Sequence, residues 1–187
     1  ETALAEELWR ELVQLCEQYS DWAEQEASHR HERDLALKNL TFPFPDFRPQ
    51  QRALAESVYR NSIRQQTLLL EAPTGLGKTL GTLFPALMAM PTARHDRLFY
   101  LTSRNTARQL AVDAVHLLRK KQPGPLPLRT LELVAKDHAC EHPDKACHGD
   151  ACPLAKGFFD RLPAARKDAA NHTGALTQGV LADIARQ

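Results

Sequence analysis

Eight residues, Ala72-Pro73-Thr74-Gly75-Leu76-Gly77-Lys78-Thr79, constrain this 187-residue chain more than any other stretch. A short apolar run, Thr67 to Glu71, precedes them and reads as a buried strand; Thr79 to Met90 follows and reads as a helix. A strand–loop–helix setting lets several main-chain N–H groups converge on phosphate oxygens. Gly75 and Gly77 permit the tight backbone path this needs. The N-terminus of the helix adds its dipole and its unpaired N–H groups. Lys78 can reach β- and γ-phosphates as a point charge, and Thr79 can set its hydroxyl on Mg²⁺. Thr74, Leu76 and Leu80 complete the stretch expected to surround the nucleotide. The general pattern is G-x-x-x-x-G-K-[ST]; here Ala72 stands in the first position, one methyl group away. Upstream lies Arg48-Pro49-Gln50-Gln51, where a glutamine amide offers the donor and acceptor that an adenine edge requires.

Periodicity organises the rest. In residues 2–38, Leu4, Leu8, Leu12, Leu15, Tyr19 and Trp22 recur at three- and four-residue spacing with no Gly or Pro between them. This predicts a long amphipathic helix whose face packs on something. Residues 41–49, TFPFPDFRP, form a connection that neither a helix nor a central strand can cross. From Pro49 a helix runs to about Ile63 through Leu54, Val58 and Tyr59. Pro91 to Asp96 reads as a loop, Arg97 to Thr102 as a second strand, and 104–121 as a helix with Leu110, Ala114, Leu117 and Leu118 inward. QPGPLP breaks the chain at 122–127, and Leu128 to Val134 reads as a third strand. Strands separated by helices of this length predict an α/β fold with a parallel sheet.

Charge divides unevenly. Residues 1–46 hold 4 Lys/Arg against 11 Asp/Glu, while residues 47–187 hold 20 against 12, so an acidic arm precedes a basic body. Such a body suits a polyanionic partner. With 43% hydrophobic residues the chain is too apolar to be disordered, and no run is long enough for a membrane span or a secretory leader. The first residue is Glu1 and the last ones read as mid-helix, so the sequence is taken as a fragment.

Residues 138–153 are rich in Cys, His, Asp and Lys and too poor in large apolar side chains to build a core. Cys140, Cys147 and Cys152 are soft ligands suited to an iron–sulfur cluster or to zinc. For zinc, His138, His142, His148 or His172 would complete a tetrahedral set, although the spacing matches neither finger nor ribbon. Three free, partly buried thiols are the remaining alternative. Cys16, on the apolar face of the arm, is expected in a core. Lys136, Lys145, Lys156, Arg161, Arg166 and Lys167 give the region positive charge for phosphate contact.

EAPTGLGKT preceded by FRPQQ resembles the XPD/DinG-like branch of superfamily 2 DNA helicases. LFYLTSRNTARQ is similar to the segment with which these enzymes contact single-stranded DNA, and residues 131–166 are similar to their iron–sulfur insertion. The resemblance covers roughly residues 41–187. It implies a helical arm or linker at 1–40, the first part of a RecA-like ATPase domain at 41–136, and part of an iron–sulfur domain at 137–187. It implies ATP, Mg²⁺ and a [4Fe–4S] cluster as cofactors, with Cys140, Cys147 and Cys152 as ligands and a fourth Cys beyond Gln187. By the same resemblance Gln51 reads adenine, Lys78 and Thr79 hold phosphate and Mg²⁺, and Ser103, Arg104 and Gln109 lie near the DNA backbone. The implied activity is translocation on single strands and unwinding at DNA junctions, in DNA repair or the response to replication stress. The implied location is cytoplasmic, beside a bacterial nucleoid. No D-E-A-H-like motif occurs in these residues, so little ATPase activity is expected of them alone. Two other classes stay open: a different P-loop ATPase, and a zinc-stabilised nucleic-acid-binding module without catalysis.

Overall fold

The computed structural model describes the backbone of residues 2–140, 142–172 and 174–186, and their side chains except at 2, 3, 105, 136 and 137. It is mostly helical, with one small parallel sheet among the described residues. Two compact units make up the chain. One comprises Glu1–Phe99 with Lys121–Pro127, the other Tyr100–Lys120 with Leu128–Gln187.

The first unit is built on three helices: α1 (Thr2–Lys38), α2 (Gln51–Arg64) and α3 (Lys78–Ala93). Helix α3 is the centre. Its Leu80, Leu83, Phe84, Leu87 and Met90 are all buried, and it packs along α2 through Leu54 and Ala55. Gly81 allows the close approach, since a Cβ there would meet Leu54 Cδ2 at 3.0 Å. The helix continues to Ala93 through Pro85 and Pro91, so the loop expected at 91–96 begins later than the sequence suggests. Each Pro removes one ladder bond; burial of the surrounding apolar side chains outweighs that loss. Arg94, at φ 56°, ends the helix by donating its N–H to Met90 O.

The Pro/Phe connection folds onto α3. Phe42 stacks on Phe47 with ring centroids 3.9 Å apart, and both meet Phe84 edge-on. Thr41 is fixed by Gln122, whose Oε1 accepts the Thr41 N–H at 2.9 Å and whose Nε2 donates to Thr41 O at 3.0 Å.

Among the described residues, helix α1 is buried toward its C-terminal end. Leu37 is fully buried, and the buried Arg33 donates to Asp34 Oδ1 at 2.8 Å and to Asp96 O at 3.0 Å. Arg33→Ala removes charge-assisted bonds from a largely buried site. It is expected to lower stability by about 1.5–3 kcal/mol, read as a shift in the urea midpoint. An unchanged midpoint would show that the clamp contributes nothing. Further out, Leu8, Leu12, Leu15, Tyr19 and Trp22 form the predicted stripe, yet each is at least half exposed. Cys16 is exposed as well, which corrects its expected place in a core. The stretch is rich in the strong helix formers Ala, Leu, Glu and Gln and free of Gly and Pro; nothing among the described residues covers its apolar face.

The second unit holds α4 (Asn105–Lys121, its last residue in the first unit), β1 (Thr130–Leu131), α5 (Lys136–Ala139), α6 (Phe158–Asn171), β2 (Ala175–Leu176) and α7 (Gln178–Arg186). Strands β1 and β2 pair in parallel, Thr130 beside Ala175 and Leu131 beside Leu176. The expected strand at 128–134 is therefore reduced to two residues. Ala114 and Leu118 are buried as the helical period required and Leu117 is half-buried, whereas Leu110 is exposed; Val115, not expected there, is buried as well. Arg119 donates to Leu128 O and Thr130 Oγ1, tying α4 to β1, and burial pulls its guanidinium below the usual arginine range.

The runs at 67–71 and 97–102 are not strands in this structure, against expectation. Leu69 is 92% and Leu101 87% exposed. A parallel strand is held by ladder bonds from its neighbours, and no described residue pairs with either run. Local apolar character was present; among the described residues, the partners that convert it into a sheet were not.

Candidate phosphate-binding loop

Residues 72–77 lead directly into α3, and two glycines shape them. Gly75 has φ +84° and Gly77 φ +80°, the left-handed region that a side chain disfavours. Gly77 is also the N-cap of α3, and its carbonyl accepts the Gly81 N–H at 2.9 Å, the first turn of the helix. The first N–H groups of a helix have no intrahelical acceptor. Two left-handed glycines thus stand directly before a helix N-terminus, the kind of position at which helices can take up anions.

Arg48, three residues before α2, and Gln51, its first residue, brace the loop. Arg48 Nη1 donates to Gly75 O at 2.8 Å. Gln51 is 3% exposed; its Nε2 donates to Gly77 O at 3.0 Å and its Oε1 accepts the Arg48 N–H at 3.0 Å. The Gln51 amide, expected at an adenine edge, is thus engaged with main chain on both its oxygen and its nitrogen. One N–H and one lone pair of that amide remain. The bracing explains why position 77 has no side chain: a Cβ there would lie 2.4 Å from Gln51 Nε2.

Lys78 is exposed, and its ammonium donates to Ala72 O at 3.0 Å and Pro73 O at 2.9 Å. A flexible stem carries that charge, and its present acceptors are neutral carbonyls. A phosphate oxygen is a stronger acceptor and would draw the ammonium into the loop. Thr79 and Leu76 are half-buried, Leu80 is buried and Thr74 is exposed at the rim. Arg48 was missed as a loop residue by sequence reasoning; its place in FRPQQ at a helix start was the available signal.

Ser103, Arg104 and Gln109 lie in the other unit, around the start of α4. Ser103 and Arg104 are exposed, and Arg104 N–H donates to Thr102 Oγ1 at 3.3 Å. Gln109 Nε2 donates to Asp113 Oδ1 at 2.9 Å, one turn along the helix.

The cysteines differ among themselves. Cys140 is half-buried, Cys147 exposed and Cys152 buried. Among the described residues no three His, Cys, Asp or Glu side chains stand close enough to hold a metal ion. His142, one of the alternative zinc ligands, instead contacts Ala151 O through Nε2 at 3.0 Å and accepts the Asp144 N–H at Nδ1. The Lys136 side chain, counted among the basic residues of this region, lies outside the described ones.

With this geometry in place, comparison with known proteins adds one relationship. The chain is 41% identical over 61 residues to a protein of Methanocaldococcus jannaschii named as a probable ATP-dependent helicase. The similarity is to a helicase. The matched stretch is 33% of this chain and spans 9% of that relative's length. No family model matches the chain, and no solved structure matches it. No helix among the described residues is long and apolar enough to cross a membrane.

Proposed function

We propose that this chain is the nucleotide-binding part of an ATP-dependent DNA helicase, in which residues 72–79 bind the phosphates of Mg·ATP. The observation that carries the reading is the braced loop. Gly75 and Gly77 are left-handed, the N-terminus of α3 lies behind them, and the Lys78 ammonium sits at the loop mouth. Lys78 would neutralise β- and γ-oxygens, and Thr79 would carry the Mg²⁺. The helicase relative and the resemblance of FRPQQ and LFYLTSRNTARQ extend this reading to single-stranded DNA, with Ser103, Arg104 and Gln109 at the backbone. A RecA-like sheet and a role in DNA repair are what the resemblance adds. The acidic arm, 41–136 and 137–187 remain the proposed division.

Binding of a labelled oligothymidylate, followed by fluorescence anisotropy at rising salt, tests the DNA half. Affinity is expected to fall steeply with salt, and Arg104→Ala is expected to weaken it several-fold at low salt and reduce the slope by about one phosphate contact. No binding at low salt, or binding indifferent to salt, would contradict it.

The [4Fe–4S] cluster belongs to the resemblance. The thiols of Cys140, Cys147 and Cys152 as placed do not form its ligand set, so no step is derived through it. Thiol labelling of the native chain separates the alternatives. The geometry predicts fast modification of Cys16 and Cys147 and slow modification of Cys152. Joint protection of Cys140, Cys147 and Cys152, lost together in Cys147→Ser, would instead establish a shared metal.

A further inference from the structure

Glu132 follows β1 directly and ends up with a side chain only 8% exposed. A buried carboxylate is costly unless each oxygen finds a donor. Both do. Oε1 accepts from Arg108 Nε on α4 at 2.6 Å. Oε2 accepts the main-chain N–H of Gln178, the first residue of α7, at 3.2 Å. That amide belongs to a helix N-terminus, where a negative charge is favoured. The main chain of Glu132 adds a third link, donating its N–H to Leu176 O at 2.9 Å and prolonging the β1–β2 ladder. Gln178 in turn donates from Nε2 to His138 O at 2.7 Å, at the edge of the cysteine-rich segment. The Glu132 side chain therefore joins α4 to α7, and its main chain joins both to β2.

The point of attachment on α4 matters. Arg104 O receives the N–H groups of Ala107 and Arg108 at 3.1 and 3.2 Å, so Arg108 closes the very turn that Ser103 and Arg104 open. Holding the Arg108 guanidinium holds that turn. Arg108 itself, though basic and near the expected DNA contacts, is directed to Glu132.

We propose that Glu132 is a positioning residue that sets the first turn of α4, with Ser103 and Arg104, in fixed register with α7 and the cysteine-rich segment. The coupling between the two segments stands on the contacts above; its consequence for DNA rests on the function proposed here. The consequence has a sign that charge alone does not give. Removing a carboxylate near a polyanion strengthens binding by simple electrostatics; losing the register of Arg104 weakens it.

Hydrogen exchange of the whole chain tests the coupling. In Glu132→Gln, the amides of Ala107 and Arg108 and those of Gln178 and Leu181 are expected to exchange faster together. The expected factor is about ten, the loss of one charge-assisted hydrogen bond, with α6 unchanged. Acceleration at one end alone, or at neither, overturns the proposal. Should Glu132→Gln loosen the whole unit, Arg108→Lys replaces it, keeping the charge and losing the planar fork. The proposal requires the Gln178 amide to respond to that distant change, and an unchanged Gln178 overturns it. Oligothymidylate binding is the second readout. Glu132→Gln is expected to weaken it several-fold where Arg104→Ala also does. Equal or tighter binding removes the positioning role. Absence of DNA binding by the wild-type chain, together with the joint exchange response in Glu132→Gln, refutes the helicase reading and leaves the coupling intact.

Discussion

Gly77→Val is expected to abolish nucleotide binding and to destabilise the first unit by roughly 3–5 kcal/mol. Two costs combine. Residue 77 has φ +80°, where a β-branched side chain is a severe outlier. Its Cβ would also lie 2.4 Å from Gln51 Nε2, so the buried amide must leave both Gly77 O and the Arg48 N–H. A side chain 3% exposed has little room in which to find replacements. The loop would lose its brace and the helix its cap together. Chemical denaturation and nucleotide titration of the same variant check the two halves. A variant that unfolds at the wild-type midpoint and still binds ATP would show that the glycine and the glutamine are incidental. Gln51→Ala offers a milder version of the same test, since it removes the brace and leaves the backbone unstrained.

Lys78→Ala should behave in the opposite way: large loss of affinity, almost no loss of stability. The side chain is exposed, and its two bonds to Ala72 O and Pro73 O replace bonds that water would supply. In the proposed function its value lies in meeting phosphate charge. Losing one charge-assisted contact to the β- and γ-oxygens is expected to weaken Mg·ATP by roughly 10–100-fold. AMP, which lacks those oxygens, should be affected little. The ratio of the ATP and AMP effects is the informative measurement. Equal losses for both would place Lys78 away from the terminal phosphates.

What could be read from the residues followed the range of the interactions involved. The loop was legible because its chemistry is contiguous: two glycines, a lysine and a helix start within eight residues. Helices α1, α2 and α4 were legible from their period, close to their observed ends. Helix α3 ran past Pro91 because burial of Leu87 and Met90 decided the matter, which a proline rule does not see. The apolar runs at 67–71 and 97–102 had strand composition, but pairing depends on a neighbour, and none is present among the described residues. Cys16 was placed in a core for the same kind of reason, on the assumption that an apolar stripe finds a cover. The bracing by Gln51 spans 26 residues and the Arg108–Glu132 pair spans 24, separations at which no local pattern points to a partner. The family resemblance implied a shared ligand set for Cys140, Cys147 and Cys152, whereas the backbone leaves one of these thiols buried and another exposed.

Isothermal titration of Mg·ATP into the wild-type chain and into Lys78→Ala bears most directly on the phosphate-binding role of residues 72–79. The structure predicts saturable one-site heat for the wild type, strongly weakened in the variant while the unfolding midpoint stays put. No heat from the wild type, or the same isotherm from both proteins, would contradict it.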